Sequence, residues 1–124
     1  MIVDASGLIG AWKIGKIDEI PDPKTTSLLP YEIGNIFWKM QRRESAIWRE
    51  EIFSSLLDYV SRVFDIVEPE FAEVLPLSRE IGLSFYDASY LWLAMKFQEP
   101  ILTMDEDFSG KWKVVRPEEL GVEL

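Results

Sequence analysis

Neither cysteine nor histidine occurs in this chain of 124 residues. Without cysteine there is no disulfide framework, thiolate zinc site, iron–sulfur cluster or thiol nucleophile. Without histidine there is no Ser-His-Asp triad, no histidine-based nuclease and no imidazole metal ligand. Positive charge is scarce too: 13 Lys and Arg face 22 Asp and Glu, a formal charge of −9. The broad basic footprint of a nucleic-acid binder is therefore missing. Long apolar runs are absent as well; the longest, 88–95, falls far short of the roughly 20 residues a membrane span needs. Met1-Ile2-Val3-Asp4 lacks a basic stretch and reaches an acid at once, unlike a signal peptide, so a cytoplasmic chain is expected.

What is present suits a folded core. Apolar residues make up 48% of the chain and aromatics 13%, against the pattern of disorder. A mass of 14.4 kDa buries about two-thirds of its unfolded surface, enough for one core and too little for two, so residues 1–124 are expected to form a single domain.

Periodicity sketches the elements. Met1-Ile2-Val3 reads as a buried strand ending at Asp4. Residues 7–14 form a short helix weakened by two glycines, and 16–24 a loop. Thr25 to Leu29 reads as extended because Pro30 disfavours helix before it. From Tyr31 the apolar spacing turns helical through Ile33, Ile36, Phe37 and Met40, and a second helix covers 46–59. Val63 to Val67 is β-rich; 70–81 is helical with a kink at Pro76 and a cap at Gly82. Tyr86 to Phe97 is apolar almost all round, so that helix is buried or covered by a partner. Ile101 to Met104 is a strand ending at Asp105, and Lys113 to Val115 a weak last strand ended by Pro117. Strands separated by helices predict an α/β layered fold with a mostly parallel sheet.

In such sheets ligands bind beyond the carboxyl ends of the strands. Asp4 and Asp105 end the two clearest strands, Asp87 opens the helix before the second of them, and Glu32 follows Pro30. Each has a local alternative. Asp87 reads singly as a helix N-cap, Glu32 as a complement to the helix dipole, Asp4 as a cap of the first helix, and Asp105 with Asp107 as turn formers. Together they aim four acids at one rim. Two carboxylates about 5 Å apart repel by roughly 3 kcal/mol at an effective dielectric near 20, so a cluster takes up protons or cations. Oxygen donors alone select Mg²⁺ or Mn²⁺, the ions of metal-assisted phosphodiester hydrolysis.

Val3-Asp4-Ala5-Ser6, Tyr31-Glu32-Ile33-Gly34-Asn35, Phe85-Tyr86-Asp87-Ala88 and Leu102-Thr103-Met104-Asp105-Glu106-Asp107-Phe108 together resemble a PIN-domain ribonuclease of the VapC type, a toxin of prokaryotic toxin–antitoxin pairs. The resemblance runs over nearly the whole chain, in order. It implies a three-layer α/β/α sandwich and Mg²⁺- or Mn²⁺-dependent cleavage of single-stranded RNA. By position it implies that Asp4, Glu32, Asp87 and Asp105 form the acidic quartet, with Asp107 a fifth candidate that a solvated turn explains as well. Ser6 and Thr103 match small polar residues beside the first and last acids, and Asn35 shares the Glu32 face. The stretch from Asp4 to Glu32 is shorter than the family's usual one, and Glu106 stands where many relatives carry a basic or neutral residue.

The resemblance also implies a small antitoxin that brings a basic segment to the acids, and, with the apolar 86–97 helix, a homodimer. Local basic groups that could meet RNA are Lys39 with Arg42 and Arg43, Lys13 with Lys16, and Lys111 with Lys113 and Arg116. Among the five tryptophans, Trp38, Trp48 and Trp92 are candidate interface anchors or core residues. Two rivals remain: a catalytically inactive PIN-like module that binds metal or partner, and a phosphoacceptor domain. The second lacks its expected signatures, because Asp4 is followed by Ala5 and Ser6 with no second acid.

Overall fold

In the computed structural model, residues 1–43 and 48–122 are described, without the side chains of 41–49. Five two-residue strands, β1 (Ile2–Val3), β2 (Lys24–Thr25), β3 (Asp65–Ile66), β4 (Ile101–Leu102) and β5 (Val114–Val115), form one sheet in the order β3-β2-β1-β4-β5. Every pairing is parallel, with Ile2 beside Ile101 and Val3 beside Leu102. Five helices connect and cover them: α1 (Ala5–Lys13), α2 (Leu29–Arg43), α3 (Trp48–Val63), α4 (Phe71–Ile81) and α5 (Phe85–Phe97). The three-layer α/β/α arrangement expected from the sequence is thus the one observed.

The two-residue period of a strand divides the core between the layers. Ile2 and Ile101 point into a cluster with Val74, Leu83, Ala88, Tyr90, Leu91, Leu93 and Ala94, supplied by α4, α5 and their linker. Val3 and Leu102, one residue on, point the other way into Leu8, Ile9, Leu29, Ile33, Phe37, Leu56 and Val60 of α1, α2 and α3. All four strand residues are fully buried, which is why these runs are continuously apolar rather than alternating.

Helix α5 packs on β1 and β4 with one side and on α4 with the other. That double burial accounts for most of its apolar circumference, while Phe85, Tyr86 and Met95 stay exposed. Gly7 in α1 is fixed by close approach: a Cβ there would lie 2.1 Å from the Leu102 carbonyl oxygen, so only glycine lets α1 sit against the end of β4.

Several boundaries differ from the sequence expectation. The segment 25–29 is extended only at its start, since Leu29 already begins α2 and Pro30 lies in that helix's first turn, where its missing N–H costs nothing. The 63–67 strand shrinks to Asp65–Ile66 because α3 continues through Val63. Pro76 neither splits nor ends α4, and Gly82 caps that helix in the left-handed conformation as expected (φ 76°). Expectations for Ala46 and Ile47 lie outside the described residues, as do those for the side chains of Arg42, Arg43 and Trp48. Among the described residues, no helix is long and apolar enough to cross a membrane.

Candidate active site

The chain leaves β1 for strands on one side and returns to β4 on the other, so a crevice opens beyond the carboxyl ends of β1 and β4. A cleft of about 210 Å³ lies there, lined by Asp4, Ala5, Ser6, Glu32, Asn35, Ile36, Asp87 and Asp105. The four acids distant in sequence thus share one wall-to-wall cavity, and Ser6 and Asn35 line it with them.

Asp4 is the most tightly held. It caps α1, accepting from the Gly7 N–H at 2.8 Å, and it also accepts from Ser6 Oγ at 2.9 Å and Thr103 Oγ1 at 2.5 Å. The capping alternative read from the sequence is therefore true of Asp4, but it occupies only part of the carboxylate. Thr103, fully buried, also accepts from the Asp105 N–H at 2.9 Å, and Ser6 Oγ accepts from the Met104 N–H at 2.9 Å. Two hydroxyls thereby tie the end of β1 to the end of β4.

For Asp87 the N-cap reading fails. Ser84 is the cap of α5, its side chain accepting from the Asp87 N–H at 3.1 Å. Asp87 sits three residues into the helix, and its carboxylate is left to face the cleft rather than a backbone donor. Among the described residues, Asp87, Asp105 and Asp107 bring carboxylate oxygens within 4.8 Å of one another. Asp4 and Glu32 line the cleft but stand outside this trio. The Asp107 N–H donates to Asp105 Oδ1 at 3.0 Å, so the turn explanation holds for this loop and coexists with the cluster.

Electrostatics follows from the crowding. Burial pushes the Asp4 carboxyl above its usual range, against its three hydrogen bonds, and the Asp105 charge adds to the rise. Burial likewise raises Glu32, opposed by Tyr90 and reinforced by Asp4. Asp87 is pushed up to about 7, first by burial and then by the charges of Asp105 and Asp107. A hard divalent cation suits this donor set of carboxylate oxygens crowded together.

Of two further residues that carry the site, Tyr90 was missed in the sequence and Arg116 was read only as a candidate RNA contact. Tyr90, one turn beyond Asp87 and fully buried, donates to Glu32 Oε1 at 2.5 Å; burial and Glu32 hold its phenol well above the ordinary range. Its spacing of three from Asp87 was the available signal, hidden because an aromatic in an apolar helix reads as core. Arg116 donates through Nη1 to the carbonyls of Thr103 (2.8 Å) and Asp105 (3.0 Å) and pairs through Nη2 with Glu106 at 3.2 Å. Of the basic groups read as RNA contacts, Arg116 is thus a brace of the acidic loop. Lys16 is similarly committed, to the carbonyls of Glu118 and Leu120.

A larger hollow of about 350 Å³ lies elsewhere, lined by Trp12, Ile17, Glu51, Ile52, Ser55, Leu56 and Tyr59. It holds one carboxylate and none of the paired acids, so chemistry points to the smaller cleft.

Comparisons with known proteins agree with the fold. No protein-family model matches the chain. It is 31% identical over 101 residues to ribonuclease VapC3 of Pyrobaculum aerophilum, spanning 77% of this chain and 76% of that one. It is 37% identical over 84 residues to exonuclease VapC9 of the same organism, spanning 67% of this chain and 62% of that one. Its structure matches the crystal structure of PAE2754 from Pyrobaculum aerophilum with a TM-score of 0.76 and 31% identity, over 94% of this chain and 88% of that one. A toxin–antitoxin complex from Klebsiella pneumoniae shares the fold at a TM-score of 0.61 and 20% identity, over 94% and 96%. By descent as well as architecture, the chain belongs to the VapC family of PIN-domain nucleases.

Proposed function

We propose that this chain is a Mg²⁺- or Mn²⁺-dependent endoribonuclease that hydrolyses phosphodiester bonds of single-stranded RNA, acting as the toxin of a toxin–antitoxin pair, with residues 1–124 as one PIN-like domain in the cytoplasm. The observation that carries this reading is the approach of Asp87, Asp105 and Asp107 within 4.8 Å, beside a cleft that Asp4 and Glu32 also line. The ribonuclease and exonuclease named among its relatives support nuclease chemistry.

In this reading Asp4, Asp87 and Asp105 hold the metal, with Glu32 and Asp107 completing the acidic set. A divalent ion held by these carboxylates would supply Lewis-acid polarisation of a phosphodiester and a lowered pKa for water. The chain's own residues position the components. Ser6, Thr103 and the Gly7 N–H fix the Asp4 carboxylate, Tyr90 fixes Glu32, and Arg116 braces the loop that bears Asp105. Asn35 offers an amide to the same cleft. The N-termini of α1, α2 and α5, which bear Asp4, Glu32 and Asp87, bring their positive dipole ends to the cleft, favouring a phosphate among so many acids.

The same charge attracts inhibitors. A net charge of −9 and an acidic cleft suit a small antitoxin whose basic segment competes with the metal. Exposed Phe71, Leu75, Phe85 and Met95 on α4 and α5 supply the apolar surface of a homodimer, to be tested by sedimentation.

The decisive experiment incubates the purified chain with circular single-stranded RNA and Mn²⁺ or Mg²⁺. Circularity excludes attack from an end. Cutting that stops with a chelator and with Asp87→Asn is the expected result; cutting that survives either one overturns the proposal.

A further inference from the structure

Beside the carboxylate cleft lies a second cavity, of about 310 Å³, lined by Tyr31, Glu32, Asn35 and Tyr86. Glu32 and Asn35 line both, so the two hollows are neighbours sharing a wall. The tyrosines are unusual in their exposure: 80% for Tyr31 and 58% for Tyr86, in a chain that buries Tyr90 completely. Each immediately precedes a cleft acid, Tyr31 before Glu32 in the first turn of α2 and Tyr86 before Asp87 in the first turn of α5. The backbone that sets each carboxylate therefore also sets an aromatic ring one residue away, outside the cleft.

Resting on the ribonuclease reading above, we infer that Tyr31 and Tyr86 form a base-stacking site that holds an unpaired nucleobase next to the bond to be cut, with the Asn35 amide available to its edge. The volume lies within the range of about 300–1,000 Å³ usual for small-molecule sites. Among the described residues, no Lys or Arg lines either cavity. Stacking supplies an attraction there that is indifferent to the surrounding negative charge. Because every base has an aromatic face, the site favours single strands over duplexes, whose bases are already stacked.

The test measures binding and cutting separately. Fluorescence anisotropy with a labelled single-stranded RNA of mixed sequence, in Ca²⁺, reads affinity; initial rates in Mn²⁺ read KM and kcat. Tyr31→Ala and Tyr86→Ala are each expected to weaken binding and raise KM about tenfold, with a much smaller change in kcat. Tyr31→Phe and Tyr86→Phe restore wild-type affinity, because the ring and not the hydroxyl does the stacking. An oligonucleotide with abasic residues binds wild type as weakly as the alanine variants. Unchanged affinity in both alanine variants, with circular dichroism showing an intact fold, overturns the inference. Failure of the ribonuclease reading looks different: RNA bound with tyrosine-dependent affinity but never cut leaves the stacking site standing, whereas RNA neither bound nor cut overturns both.

Discussion

The two ends of the central strands carry charge clusters of opposite design. At the amino end, the half-buried Glu99 and the exposed Asp22 both receive Lys24 Nζ, at 2.7 Å each. The Lys24 hydrogen bond lowers Asp22; in Glu99, burial is outweighed by Lys24 and the terminal ammonium, and its carboxyl also falls below the ordinary range. At the carboxyl end, Asp4, Glu32 and Asp87 face one another, and all three rise. One cluster is neutralised within the chain; in the other, no salt bridge among the described residues offsets the acids, and hydrogen bonds from Ser6, Thr103, the Gly7 N–H and Tyr90 are what hold Asp4 and Glu32. That contrast separates a structural ion cluster from a functional one more sharply than any count of acids.

The pH dependence should differ in sign. Asp87 titrates near 7 in the fold and at 3.8 unfolded, so the metal-free folded state binds its proton more tightly. Its contribution to stability therefore falls as pH rises from about 4 to 7, and the penalty is complete above 7. Glu99, lowered from 4.5, contributes stability that is present above that value and lost as pH falls through its depressed pKa.

The largest expected effect comes from the unneutralised end. Asp87→Asn lowers RNA cleavage about a hundredfold or more, yet raises the melting temperature of the metal-free protein at pH 8, with the gain vanishing at pH 5, where Asp87 is already protonated. Calorimetry at the two pH values checks it; a variant less stable than wild type at pH 8 would break the comparison. At the opposite end, Lys24→Met has the reverse profile. It leaves Glu99 half-buried without that cation, costs about 1–3 kcal/mol of stability in urea at pH 7, and spares the metal-dependent cut at temperatures where the fold survives. Equal stability of variant and wild type would show that Lys24 holds nothing together.

Smaller effects sharpen the picture. Thr103→Val keeps the shape of a fully buried side chain but removes a donor to Asp4, and should weaken Mn²⁺ binding about tenfold by calorimetric titration. Arg116→Met removes the brace on the Thr103 and Asp105 carbonyls; a few-fold fall in kcat at nearly unchanged KM is expected. An effect as large as that of Asp87→Asn would instead place Arg116 on the substrate.

The acids after β1 and β4 were legible because an apolar run that stops at an aspartate is a local pattern, and parallel sheets put such ends on one rim. Asp87 was legible as a member of the acidic set, and only its local alternative, the helix cap, needed the structure to settle. Its cap reading was reasonable until Ser84, three residues earlier, was seen to take the N–H. Tyr90 and Arg116 were illegible as site residues, since their partners Glu32, Thr103 and Asp105 lie 58, 13 and 11 residues away. Helix limits erred where neighbours overrode local preference, as at Leu29 and Val63.

By itself the sequence determined the chemistry on offer: carboxylate donors without imidazole or thiolate ligands, a strand-and-helix alternation, and an excess of negative charge. These are properties of composition and short-range pattern, readable without knowing what touches what. Only the tertiary structure decided which charges are paired and which are not, because Lys24 meets Glu99, and Asp87 meets Asp105 and Asp107, through space across the strands rather than along the chain. The free energy of a carboxylate depends on its neighbours within a few ångströms, and those neighbours are fixed by the fold.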